Sequence, residues 1–347
     1  MPSTHAYVRL SKPVAVMEAL RAHMAEHDVD VTVDGGVARA RLQDAEAVIR
    51  SMAGELALEA HAPSQAGLED VTAFLAAHVL EFAYPEVPEI RWSGFAERKE
   101  FSDFREMRVL RVLDLTPHMR RITLTGPDLD RFASDDNLHV RLFFPPEGQA
   151  PEWPTRGVDG LAHAIDPAKR PQVRKYTIRR IELGSGEVDI DFVLHADAGP
   201  GSDWAARARP DDVIGMAGPG GRSARAADWH LLVGDETALP AIARILESLP
   251  ATAAGHAIIE IPGEADRIAL SKPDGVLLRW LYREGGSPSL DAVVREISIP
   301  NDRAHFCWAG AEFDAIQKIR RYWRDECGIA KGDQLAVAYW RRGAEGE

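Results

Sequence analysis

The most informative segment of the sequence is Arg174-Lys175-Tyr176-Thr177-Ile178-Arg179. Its alternation of charged, aromatic and aliphatic residues predicts a strand, on which Arg174 and Tyr176 share one face and Thr177 points to the other. Such a strand offers a cation to phosphate, an aromatic ring to a planar heterocycle and a hydroxyl group to the edge of that heterocycle. Six residues of this kind also occur by chance, and a surface strand with one tyrosine is their simpler interpretation.

A glycine-rich turn follows this strand in the sequence, and its distance from the strand favours the interpretation as a cofactor-binding strand. The segment Gly199-Pro200-Gly201-Ser202-Asp203-Trp204-Ala205 comes shortly after a strand that ends near His195, and it predicts the start of a helix. Backbone N–H groups at a helix N-terminus suit a pyrophosphate group. An arginine, an aromatic residue, a glycine-rich turn and then a nucleotide-type domain form the order found in a flavin reductase.

Three regions with different patterns divide the chain. Residues 1–95 mix helical and alternating segments, which predicts a small α+β domain. Residues 98–225 carry successive alternating strands, which predict an antiparallel β-barrel. Residues 228–347 alternate strand and helix, which predicts an α/β domain with a mostly parallel sheet. Between Pro145 and Val173 lies a segment rich in proline and glycine, too long for an ordinary connection, which we interpret as a functional lid or a mobile insertion.

The composition excludes several classes of protein. With 347 residues, the chain is long enough for two or three domains of roughly 150 residues. Its net charge of −13 opposes binding to nucleic acid or to an anionic membrane. No apolar run approaches the roughly 18 residues of a spanning helix, and the N-terminus lacks a secretory signal, so we expect a cytoplasmic protein without membrane insertion. Two cysteines cannot build an iron–sulfur cluster within one chain, so any redox chemistry requires an organic cofactor.

The linked motifs resemble those of siderophore-interacting proteins, which are FAD-dependent ferric-siderophore reductases of the ferredoxin-NADP reductase-like superfamily. The resemblance covers about residues 104–343. Besides the two segments quoted above, it rests on Gly234-Asp235-Glu236-Thr237-Ala238-Leu239-Pro240-Ala241, Trp308-Ala309-Gly310-Ala311-Glu312 and Tyr339-Trp340-Arg341-Arg342-Gly343. Asp211 departs from the family pattern, because it stands where glycine is usual. Residues 1–95 resemble a separate uncharacterised domain family that is sometimes fused ahead of these reductases.

The resemblance implies that FAD binds in the barrel domain and that the α/β domain receives NADPH or NADH. It implies that Arg174 binds the flavin phosphates, that Tyr176 packs on the isoalloxazine ring and that Thr177 approaches flavin N5. Tyr176, Thr177 and Glu312 are the expected catalytic residues. The other expected cofactor ligands are Arg179, His195, Gly199, Gly201, Ser202 and Trp204 in the barrel domain, and Gly234, Asp235, Glu236 and Thr237 in the nucleotide-binding turn of the α/β domain. Trp340, near the end of the chain, is expected to border the flavin.

The resemblance also implies an activity, in which NADH or NADPH reduces FAD by hydride transfer and reduced FAD passes single electrons to Fe(III) held by a siderophore. Flavin is needed because a nicotinamide gives two electrons together while iron accepts one. Reduction lowers the charge of the iron and weakens its chelation by oxygen ligands, so iron is released. We expect a monomer whose anionic substrate is attracted by local cations, for which the candidates are Arg120, Arg121, Arg141, Lys169 and Arg170.

Two other functions stay open at this stage. One is a flavin-dependent reductase whose electron acceptor is a protein such as ferredoxin or flavodoxin. The other is a siderophore-binding or flavin-binding carrier that never turns over. The coenzyme is open as well, because Arg267 could contact the 2′-phosphate of NADPH, whereas Glu260 or Asp266 could bind the free ribose hydroxyl of NADH.

Three histidines fall on the predicted helices of the N-terminal region. His23 and His27 are four residues apart and share a helix face, and His78 lies on the later helix. No carboxylate or cysteine completes a ligand set at recognisable spacing. We therefore expect structural or surface histidines and no metal site, and the alternative is an N-terminal domain that senses a metal ion through His23 and His27.

Overall fold

The computed structural model describes residues 1–26, 29–42, 45–97, 99–163, 165–195 and 199–343. The chain folds into two compact units. Unit 1 consists of Met1–Phe104 and Glu152–Arg170, and unit 2 of Arg105–Pro151 and Pro171–Glu347. Within the described residues, no helix combines the length and the apolar composition that crossing a membrane requires.

The strands and α-helices follow one another in a simple order along the chain. The first group is β1 (Ser3–Arg9), α1 (Pro13–Glu26), β2 (Asp30–Asp34), β3 (Val37–Leu42), β4 (Ala45–Met52), β5 (Glu55–His61), α2 (Gln65–Ala83) and β6 (Lys99–Glu100). The second is β7 (Phe104–Thr116), β8 (Met119–Thr125), β9 (His139–Phe144), β10 (Thr155–Arg156), β11 (Gln172–Glu182), β12 (Glu187–Val193), α3 (Pro200–Arg207) and β13 (Val213–Gly220). The third is β14 (Trp229–Gly234), α4 (Leu239–Ser248), β15 (Ala254–Ile261), β16 (Gly275–Tyr282), α5 (Leu290–Val294), β17 (His305–Glu312), α6 (Phe313–Arg321) and β18 (Gln334–Trp340).

Unit 1 is built on a five-stranded antiparallel sheet in the order β1-β5-β4-β3-β2. Helices α1 and α2 pack against this sheet. In β1 every second residue is buried, which is the pattern of a strand with one face on a core. Leu20 of α1 and Leu75 of α2 are fully buried in that core together with Leu56 and Leu58 of β5. The predicted small α+β domain is therefore confirmed.

The segment between Pro145 and Val173, interpreted above as a lid or a mobile insertion, instead contributes residues 152–170 to unit 1. Strand β10 of this segment pairs with β6. Arg156 of β10 is 1% exposed, and its Nη2 lies 3.3 Å from Oε1 of the equally buried Glu69 on α2. The guanidinium carbon of Arg156 also lies 3.7 Å from the ring centroid of Phe95. A buried charge pair thus anchors the segment.

Unit 2 contains a closed barrel with the strand order β11-β12-β8-β7-β13-β9. The pairings β11 with β12, β11 with β9, β12 with β8, β13 with β9 and β7 with β8 are antiparallel. The side chains that fill the barrel include Met107, Ile122, Leu142, Ile178 and Ile190. The predicted antiparallel barrel is confirmed. Asp211, just before β13, has a φ of 75°, which is the left-handed conformation that glycine adopts most readily.

The other part of unit 2 is a five-stranded parallel sheet in the order β16-β15-β14-β17-β18. The chain starts at the central β14, runs outward through β15 and β16, and then returns to the other side of β14 for β17 and β18. The carboxyl ends of β14 and β17 therefore flank the point at which the strand order reverses. In open α/β sheets this point forms the crevice in which ligands bind. The predicted α/β domain with a parallel sheet is confirmed.

We expect the substitution Arg156→Met to lower the free energy of unfolding by about 3–5 kcal/mol, because it leaves the carboxylate of Glu69 buried without its charged partner. Urea unfolding followed by circular dichroism measures the effect. The matched control is Arg21→Met, which removes an exposed arginine paired with Glu18 and should cost less than about 1 kcal/mol. An Arg156→Met protein as stable as wild type would contradict the anchoring role of this ion pair.

Candidate active site

Tyr176 of β11 lies at the centre of an aromatic cluster. Its ring centroid is 4.4 Å from that of Phe192 and 6.0 Å from that of Phe144. Trp204 of α3 packs on the same two phenylalanines, at 5.8 and 5.6 Å. The Tyr176 hydroxyl lies so close to Gly201 that a Cβ at this position would overlap it. Only glycine lets α3 approach the tyrosine, and burial raises the pKa of Tyr176, so its hydroxyl stays protonated.

The N-terminus of α3 and the side chain of Arg174 form a set of donors beside this cluster. The helix starts with Gly199 as its N-cap residue and Pro200 in its first turn, so the first backbone N–H groups have no partner within the helix. The hydroxyl of Ser202 accepts a hydrogen bond from the His195 backbone N–H at 3.3 Å. Arg174 donates from Nη1 to the carbonyl oxygen of Val173 at 2.8 Å, and no carboxylate pairs with it within the described residues. A cation without a counter-charge and a helix N-terminus fit the pyrophosphate of FAD.

A hydrogen bond joins the barrel to the parallel sheet beside Thr177. Nε2 of His139 on β9 lies 2.7 Å from the hydroxyl oxygen of Tyr339 on β18, and the buried Thr177 is the cross-strand partner of His139. Burial, with help from the charges of Lys175 and Arg244, lowers the pKa of His139 to about 4, so the imidazole is neutral at physiological pH. Burial also raises the pKa of Tyr339, so the contact is a hydrogen bond between two neutral groups.

Charged side chains hold helix α4 against the barrel next to Thr177. Arg179 binds Glu247 through two hydrogen bonds of 2.9 and 2.6 Å. Arg244, which is 7% exposed, donates to the carbonyl oxygens of Ile178 at 3.1 Å and Ser134 at 2.6 Å. The predicted role of Arg179 as a cofactor ligand stays a prediction. In the structure its guanidinium links β11 to α4 through Glu247.

Asp235 organises the carboxyl edge of the parallel sheet. Its Oδ1 accepts hydrogen bonds from the backbone N–H and the hydroxyl of Thr237, at 2.9 and 2.5 Å. Its Oδ2 accepts from the Glu312 backbone N–H at 3.1 Å and from the indole N–H of Trp340 at 2.8 Å. The pKa of Asp235 is raised to about 6, because burial and the charge of Glu236 together outweigh the hydrogen bonds from Thr237 and Trp340. One carboxylate thus connects the carboxyl ends of β14, β17 and β18.

Glu312 acts as the N-cap of α6. One of its oxygens accepts hydrogen bonds from the backbone N–H groups of Asp314 and Ala315, at 2.7 and 3.4 Å, and the other accepts from that of Arg342 at 3.2 Å. Burial alone would raise the pKa of Glu312, but these donors hold it below its ordinary value. Its predicted catalytic role stays a prediction, and both oxygens already bind backbone groups.

A cavity of about 250 Å³ opens at this edge of the sheet. Five carboxylates and three cations line it. Gly234 leads into the turn beside it, and a Cβ there would come within 2.8 Å of the carbonyl oxygen of Gly310, so the two strands can approach only through glycine. Of the residues predicted for the nucleotide, Asp235 lines the cavity, while Gly234 at the end of β14 and Glu236 and Thr237 in the following turn adjoin it. Trp340, which was predicted to border the flavin, also lines this cavity.

The predicted substrate cations have different surroundings. Arg120 donates to Asp114 at 2.6 Å and to the carbonyl oxygens of Ala205 and Ala206 at 3.0 and 2.7 Å, so it satisfies the last carbonyls of α3. Arg121 forms two hydrogen bonds with the buried Asp191. Both arginines therefore have clear structural roles.

The other candidates lie in two different units. Lys169, which is 3.5 Å from Glu152, and the exposed Arg170 belong to unit 1. Arg141 of β9 belongs to unit 2 and lies directly opposite Lys175 of β11. These two exposed cations share a face of the barrel with Thr177, whose cross-strand partner is His139.

The histidines of unit 1 form a contact that the spacing of two of them did not predict. The rings of His23 and His78 lie 4.5 Å apart between centroids, and Nδ1 of His78 is 2.8 Å from the carbonyl oxygen of Phe74. His27 lies outside the described residues. Among the residues that are described, no group of three or more His, Cys, Asp or Glu side chains could hold a metal ion.

Sequence reasoning missed four residues of this site. They are His139, Tyr339, Arg244 and Arg283. Tyr339 stands in a quoted motif, but nothing local indicates its bond with His139. Arg244 lies on α4, a helix whose other residues are mostly apolar. A buried arginine is unusual on such a helix, and this local signal could have indicated a role for Arg244.

Comparison with known families divides the chain in three. Residues 108–223 match the family described as siderophore-interacting FAD-binding domain, and residues 227–343 match the family described as siderophore-interacting protein. Residues 5–93 match a family described as an uncharacterized protein conserved in bacteria. The region expected to bind flavin is thus a FAD-binding domain by family.

Individual proteins show the same relationship. The ferric vibriobactin reductase of Vibrio cholerae serotype O1 is 33% identical over 240 residues, which cover 67% of this chain and 88% of that protein. The NADPH-dependent ferric-chelate reductase of Escherichia coli K12 is 34% identical over 245 residues, which cover 68% and 92%. The crystal structure of a siderophore utilization protein from T. fusca is 35% identical and covers 70% of this chain and 94% of that one, with a TM-score of 0.59. The chain belongs to the siderophore-interacting protein family.

Proposed function

We propose that the chain is a FAD-dependent NAD(P)H:ferric-siderophore oxidoreductase, which releases iron in the cytoplasm by reducing Fe(III) to Fe(II). The observation that carries this proposal is the 2.7 Å contact between Nε2 of His139, the cross-strand partner of Thr177 on the flavin strand, and the hydroxyl of Tyr339 in the nucleotide sheet. This contact brings the expected flavin site and the carboxyl edge of the sheet together at one interface, which we call the seam. The names of the Vibrio cholerae and Escherichia coli relatives support the same activity.

The residues of the barrel suit FAD. Arg174 and the first N–H groups of α3 would bind the pyrophosphate, and Tyr176 would pack on the ring system. When bound, FAD supplies the chemistry that the chain lacks, since it takes up two electrons as a hydride and gives them away one at a time. The buried Thr177 lies beside the hydrogen-bonded pair of His139 and Tyr339 and would face the flavin edge.

The iron substrate requires a surface that attracts anionic chelates in a protein of net charge −13. Arg141 and Lys175 provide it, because both are exposed and lie next to Thr177 on the same face of the barrel. Lys175 has no carboxylate partner among the residues that the structure describes. A ferric complex held there would be near the flavin edge, and Arg120 and Arg121 are not needed for this contact.

The activity is tested with the purified protein loaded with FAD under anaerobic conditions. Adding NADH or NADPH should bleach the yellow flavin absorption, and adding a ferric siderophore should restore it while an Fe(II) indicator develops colour. A protein that stays yellow would be a carrier and not an enzyme. A protein that bleaches but is reoxidised only by ferredoxin would have a protein acceptor.

We expect the substitution Gly201→Ala to weaken FAD binding by about tenfold or more, because the new methyl group would push α3 away from the Tyr176 hydroxyl. Equilibrium dialysis of FAD against the apoprotein measures the dissociation constant. Gly220→Ala is the matched control, since a Cβ at this position of β13 meets no atom within 4 Å. Equal dissociation constants for the two variants would contradict the proposed flavin site.

The substitution Lys175→Gln should raise the KM for an anionic ferric siderophore several-fold, and this effect should shrink at high ionic strength because exposed charges are screened over about 8–10 Å. Reduction of the flavin by the nicotinamide coenzyme should stay unchanged, as measured by stopped-flow absorbance. Lys12→Gln in unit 1 is the control. Loss of coenzyme oxidation without a change in KM would argue against a substrate contact at Lys175.

A further inference from the structure

Three charged side chains meet at the carboxyl ends of neighbouring strands. Glu236 follows β14, Glu260 is the last residue but one of β15, and Arg283 follows β16 directly. Nη1 and Nη2 of Arg283 donate to the two carboxylate oxygens of Glu236 at 3.0 and 2.6 Å, and its Nε donates to Oε1 of Glu260 at 3.1 Å. These three residues are called the Glu–Arg–Glu cluster below.

The Glu–Arg–Glu cluster carries one negative charge in excess, because two carboxylates face one guanidinium. The side chains of Glu236 and Glu260 are only 14% and 21% exposed, so water screens them poorly. Both carboxylates raise the pKa of Arg283, which stays charged. Glu260 and Arg283 line the cavity, and Oε2 of Glu260 accepts no hydrogen bond from any residue that the structure describes. Oε2 of Glu260 is therefore available to accept a hydrogen bond from a ligand, whereas the charge of Arg283 is already neutralised by the two carboxylates.

The orientation of a coenzyme in this cavity follows from the proposed function, on which this inference rests. The nicotinamide ring has to reach the flavin beside Thr177, and His139, the cross-strand partner of Thr177, lies 2.7 Å from the hydroxyl of Tyr339 on β18. The nicotinamide ring would then lie at the carboxyl ends of β17 and β18, the nicotinamide half of the sheet edge. The adenosine ribose would lie at the carboxyl ends of β14, β15 and β16, where the Glu–Arg–Glu cluster is found.

NADH and NADPH differ only at this ribose, which carries a 2′-hydroxyl in the first and a 2′-phosphate in the second. A carboxylate at the end of the second strand of a nucleotide-binding sheet accepts a hydrogen bond from the 2′-hydroxyl. A phosphate at the same place would face two carboxylates and would have to displace one of them from Arg283. We infer that the Glu–Arg–Glu cluster makes NADH, and not NADPH, the electron donor of this chain. This would set it apart from the Escherichia coli relative, whose name specifies NADPH.

The other charged residues near this edge do not offer a phosphate site. Arg267, which the sequence suggests for that role, lies 3.8 Å from Glu264 and faces the ring of Trp280, and it does not line the cavity. The carboxylate of Asp266 is buried and binds the imidazole and the backbone N–H of His118. The cavity has two other cations, which come after β17 and β18 in the chain; they are Lys318, which lies 3.8 Å from the carboxylate of Asp291, and Arg342.

The inference is tested by titrating the FAD-loaded protein with NAD⁺ and with NADP⁺ in a calorimeter. NAD⁺ should bind at least about tenfold more tightly than NADP⁺. Glu236→Gln and Glu260→Gln should each bring the two dissociation constants closer together, chiefly by tightening NADP⁺, because each removes a charge that competes with the phosphate for Arg283. Glu296→Gln is the matched control, since Glu296 pairs with Arg279 at 2.7 Å away from the cavity.

Two results would overturn this inference and leave the proposed function standing. The first is a wild-type protein that binds NADP⁺ as tightly as NAD⁺ or more tightly, and whose flavin is still reduced by a nicotinamide coenzyme. The second is a ratio of dissociation constants that neither Glu236→Gln nor Glu260→Gln changes relative to Glu296→Gln. A protein whose flavin neither coenzyme reduces would contradict the proposed function as well.

Discussion

The seam between the barrel and the parallel sheet is held by buried polar contacts, and the rest of unit 2 is arranged around it. Arg244 of α4 donates to two barrel carbonyl groups, and Arg179 of β11 binds Glu247 of α4. Opening the seam would leave a buried guanidinium without its acceptors, which costs more free energy than an ordinary hydrogen bond supplies. A hydride can pass only between atoms about 3–3.5 Å apart, so a fixed seam is what the proposed reaction requires.

The barrel, the parallel sheet and part of the site could be predicted from the sequence because their signals are local. Alternation marks the strands, and Tyr176 and Gly201 belong to short motifs whose residue types suit a flavin. The bond between His139 and Tyr339 left no such signal, since the residues are far apart in sequence and each forms part of an ordinary strand. The contacts of Arg120 could not be predicted for the same reason, because its partners at the end of α3 are distant in the chain.

Unit 1 consists of two separate segments of the chain, whereas the sequence patterns predicted a continuous N-terminal domain. Residues 152–170 interrupt the barrel domain in sequence but fold with the N-terminal region. Proline and glycine in this segment indicated a loop, and they could not indicate that Arg156 pairs with Glu69 in a core. The chain therefore passes between the two units three times, the last time just before the strand that carries Arg174 and Tyr176.

The alignment of the two cofactors depends on the seam, and the rate of hydride transfer in the variant Arg244→Met measures that dependence. Stopped-flow absorbance at saturating NADH would follow bleaching of the bound flavin in this variant and in wild type. We expect a transfer rate at least about tenfold lower, with unchanged FAD affinity and an unchanged spectrum of the oxidised flavin. A variant that binds FAD normally and is reduced as fast as wild type would contradict the claim that the seam aligns the two cofactors.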